Sequence, residues 1–319
     1  MNLLSAIGNT PLVKLENISK GLKANIYAKL EFMNPGGSIK DRIAKYMVEK
    51  AEKEGKLKPG DTIIENSSGN TAMGLAIVAR QKGYKLKIVI RDTTSKEKIK
   101  MLEILGVDVI TVDATLPPEN PKSYNNYAAN LAKDNASLYY IDQHNNLDNN
   151  ESYYYTLGPE LYNQLNGNID YLIAAVGTGG SLFGTGKFLK EKNPNVKIIG
   201  VDPVGSVFYD YFKTKKLVKP SRYFLEGMGD EFLIKTAQLE MMDDMFQIED
   251  KKAFGWTKKL AFEEGIIAGG SSGANIWAAI ELAKQIDRKA NIVTIFPDSG
   301  YKYFTTIYND EWLKANDFI

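Results

Sequence analysis

The chain has 319 residues, 44 % of them hydrophobic, enough for one large or two medium domains around real cores. Forty basic side chains against 39 acidic ones leave a net charge of +1, which gives nucleic-acid binding no electrostatic support. The chain contains no cysteine and one histidine, His144, which excludes disulfides and thiolate metal sites and argues against a zinc cluster.

In chain order, the pattern first predicts a strand at Ile26–Leu30. The turn Asn34-Pro35-Gly36-Gly37 then leads into a helix over Ile39–Glu54, with Ser38 as its N-cap, Asp41 in its first turn and Lys40 at its start. The strand Thr62–Glu65 runs into Ser67-Ser68-Gly69-Asn70-Thr71 and the helix Thr71–Lys82. Leu86–Ile90 and Val107–Thr111 read as strands around a helix at Lys96–Leu105, with surface loops at Leu116–Pro121 and Asn145–Asn150. The strand Tyr171–Val176 is followed by Gly177-Thr178-Gly179-Gly180-Ser181 and the helix Leu182–Lys192, then by a strand at Val196–Val201. Helices at Lys252–Glu264 and Gly273–Ile286 flank Gly269-Gly270-Ser271-Ser272, and a last strand, Asn291–Phe296, precedes Pro297-Asp298-Ser299-Gly300. Short β-rich runs alternating with helices predict an α/β fold with open, parallel sheets. No stretch has the length of a membrane span, and Met1–Leu15 carries no signal-peptide pattern, so a cytoplasmic enzyme is expected.

Two strand-to-helix loops of unusual composition, one just ahead of a lysine, suit a site for an aldehyde cofactor and a small carboxylate. Lysine is the amine that forms such a Schiff base, and pyridoxal phosphate is the aldehyde it suggests. An isolated helix lysine is ordinarily solvated, but Gly36-Gly37 permits close backbone approach to a ligand beside Lys40. Ser67 to Thr71 opens a helix, where amides and hydroxyls favour a carboxylate; it would equally serve as a plain capping loop. Gly177 to Ser181 has the composition of a phosphate cradle, although a nucleotide loop or tight turn has the same look. It lacks the full dinucleotide spacing, with only Asp202 near the end of the next strand, so a nicotinamide oxidoreductase is disfavoured.

Together with Ile7-Gly8-Asn9-Thr10-Pro11-Leu12-Val13 and Gly227-Met228-Gly229, these strings resemble the fold-type II pyridoxal-phosphate enzymes of the cysteine synthase and cystathionine β-synthase family, in order and over nearly the whole chain. The resemblance implies two open, twisted, mostly parallel sheets with flanking helices, as in the tryptophan synthase β chain. It implies a large cofactor domain over residues 1–42 and 148–319, a smaller mobile domain inserted at 43–147, and a homodimer. Lys40 then carries the cofactor and serves as the base at Cα. Asn70 contacts its ring oxygen, Gly177, Thr178, Gly179, Gly180 and Ser181 hold its phosphate, and Asp298 is a further contact. Ser271 faces the pyridine nitrogen, where a hydroxyl leaves the ring largely neutral and favours loss of a β-substituent over transamination. Ser67, Ser68, Gly69, Thr71, Gln143 and Gly227 border the substrate, and His144 reads as a structural neighbour.

Two features depart from the family. Ser67 and Ala72 stand where threonine and glycine are usual, and Ala72 is expected to narrow the pocket. Asp230 replaces the small, apolar or aromatic residue expected after the Gly227 loop, whereas Glu231 matches an acid of the cystathionine β-synthases. Acidic pairs are usually solvated, but a carboxylate at Asp230 is placed to polarise water for attack at Cβ. The implied reaction is β-replacement on a small amino acid, with L-cysteine and water giving L-serine and hydrogen sulfide as the favoured version. Cysteine synthesis from O-acetylserine and sulfide, thiol addition of the cystathionine type, and a non-catalytic cofactor-binding module are the alternatives. The sequence shows neither a haem-binding extension nor a pair of regulatory nucleotide modules, so control through either is not expected.

Overall fold

The computed structural model describes residues 2–319. Among these residues ten strands form two sheets. They are β1 (Leu12–Lys14), β2 (Asn25–Leu30), β3 (Thr62–Asn66), β4 (Lys85–Arg91), β5 (Asp108–Val112), β6 (Leu138–Tyr140), β7 (Tyr171–Ala175), β8 (Lys197–Pro203), β9 (Asp244–Ile248) and β10 (Asn291–Phe296). The larger sheet has the order β1-β2-β10-β7-β8-β9 and is parallel except for β1, and the smaller is β5-β4-β3-β6, all parallel. The central strands are continuous apolar runs because helices cover both faces: Ile292, Val293, Ile295 and Phe296 of β10 are all buried. The larger sheet takes strands from both ends of the chain, and the smaller one only from residues 62–140. Among the described residues, no helix is long and apolar enough to cross a membrane.

The predicted helices all form, with ends shifted by up to three residues. Left-handed Gly83 and Gly265 close the helices Asn70–Lys82 and Asp250–Glu264, returning their N–H groups to Ala79 and Ala261. Two expectations are corrected. Ser38 is not the N-cap of the helix Lys40–Lys53. Its hydroxyl accepts from the Lys40 N–H at 3.3 Å, and Ile39 takes the cap position. Asp41 lies in the first turn as expected, and its carboxylate accepts from the Gly36 N–H at 2.5 Å. The expected loop at Asn145–Asn150 is helical from Asp148, in Asp148–Tyr155. This helix packs so closely on Gly180–Lys192 that a Cβ on Gly184 would lie 2.0 Å from the Asn150 carbonyl oxygen.

Ahead of Lys40, buried charges fix the chain. Arg42 donates to Glu31 through Nε and Nη2 at 2.7 and 2.8 Å, and to Glu160 through Nη1 and Nη2 at 2.7 and 2.8 Å. Lys29 Nζ reaches Glu160 at 2.8 Å and the Thr10 carbonyl at 2.7 Å, while Asn34 joins Glu31 to the Gly8 N–H. Burial raises the Glu160 carboxyl, but Arg42 and Lys29 outweigh it and hold the group down at about 2. Removing one partner strands a buried charge. Arg42→Met is therefore expected to lower stability by about 3–5 kcal/mol, read as a shift of the urea midpoint; an unchanged midpoint would contradict this account.

Candidate active site

A cavity of about 770 Å³ opens at the carboxyl ends of β3, β4, β6 and β7, the place where open α/β sheets bind ligands. Lys40, at the first position of its helix, reaches into it. Burial lowers the Lys40 ammonium to about 8, against the opposing charge of Asp298, so part of the population is free amine near neutral pH. His144 lines the same wall. Burial and then the Lys40 charge push its imidazole down to about 4, so it is a neutral ring, and its carbonyl accepts from Thr236 N and Oγ1 at 3.3 and 2.8 Å.

The cavity wall includes Ser67, Ser68, Gly69, Asn70 and Thr71. Ser67 Oγ closes this loop by accepting from the N–H groups of Gly69 and Ala72 at 3.4 and 3.3 Å. Ala72 does not narrow the cavity, because its methyl is fully buried in the core behind the helix start. Thr71 Oγ1 donates to Gln143 Oε1 at 2.6 Å, leaving the Gln143 amide hydrogens without a protein acceptor among the described residues. Two unforeseen residues set this corner. Glu65 is fully buried, with burial pushing its carboxyl up to about 8, and it accepts from the N–H groups of Asn66 and Gln143 at 2.8 and 3.2 Å. Asn149 Nδ2 donates to the Gln143 carbonyl at 2.7 Å and to Thr178 Oγ1 at 3.0 Å, joining two loops that lie far apart in sequence.

Gly177 and Thr178 line the cavity, while Gly179, Gly180 and Ser181 lie at the start of the helix Gly180–Lys192. Gly179 holds the cap position at φ +80° with no side-chain cap, so the first amides of this helix are left for an outside acceptor. A Cβ on Gly177 would stand 2.4 Å from the Gly227 carbonyl oxygen, which is why these two glycine loops meet. Gly227 and Asp230 are on the cavity wall, and so is Glu231 on its exposed rim. Asp230 is half-buried. Burial raises its carboxyl to about 6, and the Glu231 N–H at 2.7 Å and the charge of Arg91 moderate the rise. Its backbone is pinned by Ser206 Oγ and Val207 N at 3.1 Å each.

Ser271 and Asp298 are buried behind this wall and do not line the cavity. Ser272 also lies inside the helix Gly270–Lys284, its hydroxyl buried without a partner among the described residues. Asp298 accepts from Asn70 Nδ2 at 2.9 Å and Tyr303 OH at 2.8 Å through one oxygen, and Lys302 Nζ donates to Asn70 Oδ1 at 2.6 Å. No local pattern marks Lys302, Asn149 or Glu65: Lys302 meets partners 232 and 265 positions away, Asn149 reaches Thr178 29 positions on, and Glu65 depends on burial and on Gln143, 78 positions away.

Residues 3–298 match the family model of pyridoxal-phosphate dependent enzymes, and the chain belongs to that family. Its cofactor is pyridoxal phosphate. It is 41 % identical to a cystathionine β-synthase of Apis mellifera over 100 % of this chain and 63 % of that protein. It is 38 % identical to one of Saccharomyces cerevisiae over 99 % of this chain and 64 % of that protein, so it spans under two thirds of these relatives. Two solved structures are similar over nearly their whole length. A hydrogen sulfide-producing enzyme from Fusobacterium nucleatum aligns with a TM-score of 0.86 at 38 % identity, covering 94 % of this chain and 97 % of its own. An O-acetylserine dependent cystathionine β-synthase from Helicobacter pylori gives 0.88 at 34 %, covering 97 % and 99 %. The two-sheet architecture expected from the sequence is the one these folds share.

Proposed function

We propose that this enzyme carries out β-replacement on L-cysteine, releasing hydrogen sulfide and adding water to give L-serine. The observation that carries this reading is Asp230, a half-buried carboxylate of raised basicity on the wall of the cavity that Lys40 also lines. The similarity to a hydrogen sulfide-producing enzyme supports it.

The residues present fit pyridoxal phosphate: an amine inside a cavity of suitable size, and beside it an uncapped helix start for a dianion. Lys40 would hold its aldehyde carbon, the Gly177 to Ser181 loop its phosphate, Asn70 its ring oxygen, with Ser271 and Asp298 behind the ring. When bound, the group supplies a conjugated acceptor for the electrons of the Cα–H bond. The amides and hydroxyls of Ser67 to Thr71, with the Gln143 amide, clasp the substrate carboxylate. Lys40 Nζ removes the Cα proton, and the sulfur leaves Cβ as HS⁻, keeping the proton of the cysteine thiol. Asp230 takes a proton from the incoming water as its oxygen bonds to Cβ, and Lys40 returns a proton to Cα. Residues 43–147 move as the closing lobe in this account, with Lys98 of that lobe meeting Glu226 across the cavity mouth at 2.7 Å. The molecule pairs as a homodimer, which sedimentation velocity tests.

Product analysis with cysteine, serine and O-acetylserine, each with and without sulfide, tests the proposal. Serine and sulfide from cysteine alone are expected, and cysteine from O-acetylserine as the main activity would replace it with cysteine synthesis. One observation favours a second reading, addition of an amino-acid thiol. Arg91 lines the cavity with its guanidinium 4.3 Å above the Tyr124 ring and no salt-bridge partner among the described residues. It is placed to receive the carboxylate of a second amino acid. If thiols are the nucleophile, Arg91→Gln will raise KM for homocysteine about tenfold and leave 2-mercaptoethanol unaffected; equal effects on both thiols contradict it.

A further inference from the structure

Lys302 is a half-buried cation on the cavity wall, and its hydrogen bonds go to two active-site loops rather than to a carboxylate. Its ammonium donates to Asn70 Oδ1 at 2.6 Å and to the Gly37 carbonyl at 3.2 Å, three residues ahead of Lys40. On the other end of the same amide, Asn70 Nδ2 donates to Asp298 Oδ2 at 2.9 Å. Asp298 is in turn held by Tyr303 OH at 2.8 Å, and its backbone bridges Ser38 and accepts from the Gly269 N–H at 3.0 Å. The amide of Asn70 therefore lies between a cation at its oxygen and an anion at its nitrogen. Reversing it would set carboxamide oxygen against carboxylate and NH₂ against ammonium, so only one orientation is stable. That orientation leaves one Nδ2 hydrogen uncommitted, and Asn70 lines the cavity. A cation on the oxygen also draws electron density from the nitrogen, which makes the remaining N–H a stronger donor.

We infer that Lys302 is a positioning residue: acting through Asn70, it fixes and strengthens the one N–H that this side chain offers to the cofactor's ring oxygen, while tying the Lys40 loop to the Asn70 loop. The inference rests on the role proposed for Asn70. It accounts for a second, half-buried lysine in a site that already has Lys40, and it gives Lys302 no proton to transfer.

The test is a double-mutant cycle on cofactor affinity, which needs no turnover. Pyridoxal 5′-phosphate is titrated into stripped protein, with binding followed by fluorescence quenching, for wild type, Lys302→Met, Asn70→Ala and the double variant, each with a melting curve. Lys302→Met is expected to weaken binding about tenfold in the wild-type background, the size of one charge-assisted contact. In the Asn70→Ala background it is expected to change binding by less than about twofold, because the two positions act through one amide. Lys302→Arg should recover most of the loss. Should Lys302→Met not fold, Lys302→Gln serves the same comparison. Equal factors in both backgrounds, or no loss in either, overturn the inference. A wild-type protein that takes up no cofactor overturns both this inference and the role of Asn70, whereas uptake with equal factors overturns only the former.

Discussion

Lys40→Ala is expected to reduce turnover to trace levels while leaving the fold intact. The side chain projects into a cavity, so its loss removes little packing, and the helix Lys40–Lys53 accommodates alanine well. In the proposed roles two functions are lost together, the covalent hold on the cofactor and the base at Cα, and loss of a single general base already costs about 10²–10⁴-fold. The variant should still bind pyridoxal phosphate through the Gly177 to Ser181 loop, but without a band that borohydride abolishes. A pH dependence follows from the same residue. Its ammonium is lowered to about 8 by burial, so the amine is neutral above that value and protonated below it. Cofactor uptake by stripped protein should accelerate as pH rises through about 8, then level off. More than trace activity in the variant without added amine, or uptake independent of pH, would remove Lys40 from both roles.

The second large effect is expected at Asp230. Asp230→Asn keeps the size and most of the hydrogen bonding but removes the basic oxygen. Release of sulfide from cysteine should continue, while addition of water should fall about 10²–10⁴-fold, about 3–5 kcal/mol of barrier. Thiols and sulfide are good nucleophiles near neutral pH and should suffer much less. In the wild type, the carboxylate form is present above about 6, so serine formation should be lost as pH falls through that value. Rapid-mix assays that follow sulfide and serine separately check both points. Serine formation at the wild-type rate in the asparagine variant would make Asp230 a loop charge and favour cysteine synthesis.

The parts legible in the sequence are those with strong local signals. Runs such as Asn291–Phe296 and Tyr171–Ala175 announce buried parallel strands, and the glycine-rich loops mark where backbones approach one another. The strands missed, β1, β6 and β9, are partly exposed sheet edges of three to five residues, so they lack the continuous apolar run of the central strands. The helix Asp148–Tyr155 begins with an Asp-Asn-Asn run that locally favours a turn. Packing against the glycine-bearing face of Gly180–Lys192 overrides that preference. Ser38 satisfies the rule for a cap, but the turn that presents Lys40 places its hydroxyl elsewhere. Ala72 is expected to narrow the pocket because it stands where the family has glycine, yet helix geometry turns its methyl into the core. The role of Lys302 depends on a contact 232 positions away, beyond any sequence window.

The central claim is that water, activated at Asp230, replaces sulfide at the β-carbon of cysteine. The most direct measurement is the mass of the products formed by the holoenzyme from L-cysteine in ¹⁸O-labelled water. The account predicts one mole of sulfide per mole of L-serine, with the label in the β-hydroxyl. Pyruvate and ammonia in place of serine, or a thioether as the main product, would contradict it.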